Sequence, residues 1–125
     1  MLPLTQSCGY RSVLHEAQAV LTCEAFRSWL EAHFYQVVGQ PMNCYASPLA
    51  CYLLESVGAP FVVDQEGYGP QGTALVVPLP QWAQAFEVVT GRVSAGVSLT
   101  GEQALRVLDR LLAPHALSCL AGRVG

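Results

Sequence analysis

The run SPLACYLLESVGAPFVVDQEGYGPQGTALVV, residues 47–77, passes from helical to extended patterning and decides the fold class. Ser47-Pro48 sets a capping hydroxyl ahead of a proline at the first helical position, where the missing N–H has no partner to lose. Leu49, Leu53 and Val57 form one row along the helix, Ala50 and Leu54 lie beside it, and Gly58 is the natural left-handed stop. Two short apolar runs follow, Phe61-Val62-Val63 and Thr73-Ala74-Leu75-Val76-Val77. Between them Gln65 to Gly72 is rich in glycine and polar residues, which predicts the loop of an antiparallel hairpin. A lone hairpin is marginal in water, so helices must cover one of its faces.

Working outward, a first helix is predicted over about Tyr10 to Val20, with Val13, Leu14, Ala17, Val20 and Leu21 on one side. Thr22 is a fresh N-cap, flanked by Leu21 and Phe26 in the positions of a hydrophobic staple. Phe26, Trp29, Leu30 and His33 follow at i, i+3, i+4, i+7, and the pattern fades near Gly39-Gln40-Pro41. Beyond the hairpin, Pro78-Leu79-Pro80 opens a helix striped by Trp82, Ala85, Phe86 and Val89 and closed by Gly91. Thr100 and Gln103 form a capping box, and Ala104, Leu105, Leu108, Leu111 and Leu112 carry an apolar face as far as Pro114. The order is ααα-ββ-αα. The expected fold is a helix-dominated α+β domain with a small antiparallel hairpin sheet, one domain over residues 1–125 with an ordered core at about 10–120.

Composition narrows the class of function. Among 125 residues there is no lysine, and the cations are Arg11, Arg27, Arg92, Arg106, Arg110 and Arg123. Charged residues make up 12% and apolar ones 52%, against a usual charged share of about a quarter. A net charge of −3 with six scattered arginines argues against nucleic acid, which needs a concentrated basic face. No apolar stretch is long enough to span a bilayer, and MLPLTQSCGYR lacks a secretory pattern, so no membrane partner and a cytoplasmic location are expected. Five irregularly spaced cysteines suggest reduced thiols rather than a disulfide framework. Isoleucine is absent and asparagine occurs once, at Asn43, which suggests a GC-rich coding sequence. Arginine has not replaced the missing lysine, so codon bias is only part of the explanation.

Phe26-Arg27-Ser28-Trp29-Leu30, the segment Cys44 to Leu53, the segment Leu79 to Phe86 and Thr100 to Leu105 together resemble a diffuse group of small bacterial and phage proteins. Their shared pattern is a PLAxxL segment, then LPxWAxxF, then TxxxAL. The resemblance covers roughly Thr22 to Leu112 and implies a common fold and carriage on mobile elements. It brings no catalytic residue with it. Where such relatives show Cys-Pro before Leu-Ala, this chain has Ser47-Pro48, which removes half of any thiol pair there.

Candidate sites are few. Cys44 lies just ahead of a helix N-terminus, whose field favours a thiolate, with Cys51 one turn inside. A base would have to come from His33 or His115 through folding. The plainer account makes cysteine a small buried hydrophobe and Ser47 only a cap. His33, Cys44 and Cys51 lack the spacing of a zinc site, so no metal and no cofactor are expected. Asp64 and Glu66 sit where a glycine-rich turn begins and serve to solvate it. Tyr35, Tyr45, Tyr52 and Tyr68 fall at element ends or in loops, as contact residues do, with Tyr68 at a glycine-flanked tip. These features lead to a non-enzymatic protein-interaction module, a mobile-element accessory protein binding a protein partner or itself as a homodimer. A thiol-dependent enzyme using Cys44 with a histidine such as His33 is the alternative.

Overall fold

A computed structural model describes the backbone of residues 2–94 and 96–124, and the side chains of residues 11–94 and 96–112. The chain runs α1 (Leu2–Val20), α2 (Cys23–Ala32), β1 (Val37–Gly39), α3 (Pro48–Val57), β2 (Phe61–Val63), β3 (Gly67–Pro70), β4 (Val77–Pro78), α4 (Gln81–Ser94), β5 (Leu99–Thr100) and α5 (Gly101–Val124). This is a helix-dominated α+β fold, and the helix order follows the sequence pattern. Among the described residues no helix is long and apolar enough to cross a membrane.

Local chemistry accounts for the helix ends. The hydroxyl of Thr22 accepts from Ala25 N at 3.2 Å, and that of Ser47 from Ala50 N at 3.3 Å. The capping box closes in both directions, with Gln103 N donating to Thr100 Oγ1 at 3.3 Å and Thr100 N to Gln103 Oε1 at 3.0 Å. Gly58 ends α3 at φ 83. Four ends were misplaced by pattern. Helix α2 stops at Ala32 rather than near Gly39, where the chain is already a strand, and α4 runs through Gly91 to Ser94. Helix α1 starts at Leu2 rather than near Tyr10, since Pro3 is tolerated in a first turn. Helix α5 continues through Pro114, where only one backbone donor is forfeited.

The hairpin is the larger correction. Asp64 Oδ1 accepts from Glu66 N at 2.8 Å and Gly67 N at 2.7 Å, and Asp64 N donates to Gly67 O at 3.0 Å. That tight turn sends the chain straight back as β3, pairing Val62 with Gly69 and Val63 with Tyr68. The segment read as loop is therefore the central strand of a β2-β3-β4 meander. Glycine is depleted in strands, but here it admits a neighbouring backbone, since a Cβ on Gly69 would lie 1.7 Å from Leu75 O. Thr73 instead folds locally, its hydroxyl donating to Pro70 O at 2.8 Å and accepting from Leu75 N at 3.2 Å. Of the expected second strand only Val77 joins the sheet, continued there by Pro78. A second, two-stranded sheet pairs β1 with β5, strands too short to leave a periodic signal.

One core unites these parts. Helix α5 packs on α2 and α4, and α1 on α3. Phe26 is the hub, with ring centroids 5.3 Å from Tyr52, 5.1 Å from Phe86 and 5.7 Å from Trp82. Arg27 ties α2 to α5 through Asp109, with Nε 2.9 Å from Oδ1. Helix α4 is rotated from its predicted stripe. It buries Ala83, Phe86, Glu87, Thr90 and Gly91 and leaves Trp82, Ala85 and Val89 half-buried. Thr90 tolerates this because its Oγ1 donates to Phe86 O at 2.7 Å.

Candidate functional site

The rotation of α4 turns a carboxylate inward. Glu87 is 8% exposed and lines a pocket of about 170 Å³ together with Met42, Cys44, Val63, Asp64 and Gln65. Each wall has a separate origin. The turn after β2 brings Asp64 and Gln65, and Val63 N donates to Cys44 O at 2.8 Å, which holds Cys44 beside β2. Met42 sits at the third position of the turn Gln40-Pro41-Met42-Asn43, closed by Asn43 N donating to Gln40 O at 3.2 Å. Its φ of 69 is left-handed, a conformation that such a turn normally gives to glycine. The strain costs on the order of 1 kcal/mol and fixes the thioether at the pocket mouth. A Cβ on Gly91 would stand 3.3 Å from Met42 Cγ, so this loop rests directly on α4.

Burial pushes the Glu87 carboxyl up to about 8, helped by the nearby negative charge of Asp64 and opposed by a hydrogen bond from the Ser47 hydroxyl. The acid therefore keeps its proton at neutral pH. Its Oε2 is buried with no hydrogen-bond partner among the described residues. Among the described residues no arginine or histidine lines this pocket.

The residues expected to act as sites separate into groups. Tyr35 and Tyr45 are 88% and 62% exposed, as contact residues need to be. Tyr68 and Tyr52 are each 3% exposed, so neither is a surface contact. Tyr68 is drawn in because it belongs to the central strand, against Phe61, rather than to a loop tip. Tyr52 faces the Phe26 cluster from α3, and its hydroxyl donates to Val20 O at 2.6 Å. Burial raises both phenols above their ordinary value.

Cys44 and His33 belong to different places. His33 Nδ1 lies 2.7 Å from Trp29 O and its Nε2 3.3 Å from Glu55 Oε1, so both nitrogens face acceptors. Glu55 is near the C-terminal end of α3, and Cys44 precedes the N-terminal end. His33 does not line the pocket that holds Cys44. His115 lies outside the described side chains. Desolvation raises the thiols of Cys51 and Cys23. Among the described residues no cluster of three or more His, Cys, Asp or Glu is placed to hold a metal ion.

Glu87 is the residue that pattern reading missed. Its signal was present, because Ala83, Glu87 and Thr90 share a helix face at i, i+4, i+7. Trp82 and Val89 offered a more hydrophobic stripe and concealed it. Comparison with protein-family models, curated proteins and solved structures finds no match to this chain.

Proposed function

We propose that this chain is a non-enzymatic protein-interaction module. The observation that carries the proposal is an uncharged face rich in exposed apolar side chains. Tyr35, Val37, Met42 and Tyr45 come from one segment, Val93 from the end of α4 and Val97 from the turn after it, all 62% exposed or more. The segments are tied where Gln40 Nε2 donates to Gly96 O at 2.5 Å and where Met42 rests on Gly91. No charged residue occurs from Phe34 to Leu54, and Arg92 is the single charge from Val88 to Gly101. Clustered exposure of this kind marks interaction sites, unlike scattered apolar residues. Covering such a face strips water from few charges, so apolar burial is gained with little desolvation cost. A mobile-element role, as the resemblance implies, would work through the same face.

Light scattering coupled to size exclusion, and affinity capture, test this against a Tyr45→Ser/Val97→Ser variant. The expected result is a self-association or a captured protein that the wild type shows and the variant loses. A monomeric wild type whose captured set equals that of the variant would overturn it. Thiol chemistry at Cys44 is a second reading, favoured by its sharing a pocket with Glu87, which could replace His33 as the base only above about pH 8, where it has lost its proton. It requires that Cys44 alkylation slow markedly in Glu87→Gln.

A further inference from the structure

We propose that the pocket over Glu87 seats the terminal ammonium of a lysine side chain presented by a different protein. This rests on the uncharged face being protein-binding and names what the partner must insert there. Glu87 supplies the built element, a carboxyl 8% exposed whose Oε2 lacks any donor. Asp64 lines the same opening, and its turn uses Oδ1, so a second acidic group faces the bound ligand. Met42 and Val63 form apolar walls suited to a methylene stem. The pocket volume of about 170 Å³ compares with the roughly 150 Å³ of a cavity that holds benzene. It admits an alkylammonium and excludes a nucleotide.

Two rivals fit less well. A guanidinium binds best when it can reach both oxygens of one carboxylate, and Oε2 of Glu87 is buried. A compact ammonium needs only one oxygen of the Glu87 carboxyl, with its remaining N–H groups turned to Asp64 and Gln65. A second copy of this chain brings no lysine at all. The lysine must come from elsewhere, and Met42, which both lines the pocket and projects from the uncharged face, links the two features.

The test uses n-butylammonium chloride, a lysine side chain without its backbone, followed by NMR or calorimetry on the full chain. Saturable binding with a Kd roughly in the millimolar range is expected. Butan-1-ol should not bind, and Glu87→Gln should weaken binding by about tenfold or more. Because ammonium and proton compete for Glu87, affinity should fall as pH drops from about 9 to about 6. Asp64 and Cys44 are the other titratable groups facing the site, and a Cys44→Ser variant should keep the same pH profile. No saturation, or unchanged binding in Glu87→Gln, would overturn the proposal.

A second arm separates a partner's lysine from a free amine. A lysine peptide with apolar flanks should bind at least about tenfold tighter than n-butylammonium. It should lose that gain on Nε-acetylation or against Tyr45→Ser. A peptide no tighter than the amine would make the pocket a small-amine site and overturn docking. A peptide unaffected by Tyr45→Ser/Val97→Ser, with amine binding intact, would sink the uncharged-face reading instead.

Discussion

Glu87 on α4 and Ser47 at the cap of α3 lie close enough for the serine hydroxyl to favour the ionised carboxyl, while Glu87 Oε2 is buried without a donor among the described residues. The same hydroxyl accepts from Ala50 N at 3.3 Å, so one buried side chain serves both a helix end and a buried acid. The acid's proton thereby becomes part of the folding equilibrium.

Stability should fall as pH rises through a defined window. The Glu87 carboxyl goes from 4.5 to about 8 on folding, so between those values the native state holds a proton that the unfolded chain has lost. Raising pH then favours unfolding, with the loss complete above about 8 and on the order of a few kcal/mol at most. Thermal melts of wild type should decline from about pH 5 to about pH 8, while Glu87→Gln lacks that component. Parallel curves would refute the assignment.

Tyr52→Phe should cost about 1 kcal/mol, because Val20 O loses its phenol donor at the end of α1. Urea titration should show a lower midpoint with an unchanged slope. No change in midpoint would mean that water replaces the hydroxyl fully.

Gly69→Ala should destabilise by on the order of 3 kcal/mol or prevent folding, since the new Cβ meets the Leu75 carbonyl rather than a movable side chain. Gly72→Ala is the contrasting case, with open space but a φ of 82, and should cost only about 1 kcal/mol. Equal losses at the two sites, measured by denaturant titration, would contradict β3 as the central strand.

Cys23 and Cys51 should alkylate slowly near neutral pH, because burial raises both thiols and reduces their thiolate fraction. Mass spectrometry of timed iodoacetamide reactions resolves them. Rapid modification of Cys51 would show that α3 opens readily at its N-terminal half.

Capping chemistry made the helices legible, because Thr22, Ser47, Gly58 and the Thr100–Gln103 pair act within a few residues of one another. Strand register was not legible. Gly67-Tyr68-Gly69-Pro70 has loop composition, and only the approach of the Leu75 backbone explains why a strand must be that bare. Tyr68 was misjudged for the same reason, being read from its neighbours rather than from its partner Val63. The pocket depended on three separate segments meeting, and Glu87 shows its importance only once α4 is known to rotate. Tyr35 and Tyr45 were legible as surface because nothing apolar repeats around them at helical spacing.

A protonated carboxyl in an accessible pocket is also a chemical handle. Carbodiimides attack the acid form, which ordinary carboxylates have largely lost at neutral pH. Glu87, held up to about 8, retains most of it. A small neutral carbodiimide would activate this side chain under conditions that spare ordinary surface acids. A neutral amine supplied in excess would then attack the resulting O-acylisourea and displace the urea, and digestion would return Glu87 as an amide-tagged fragment that marks the pocket.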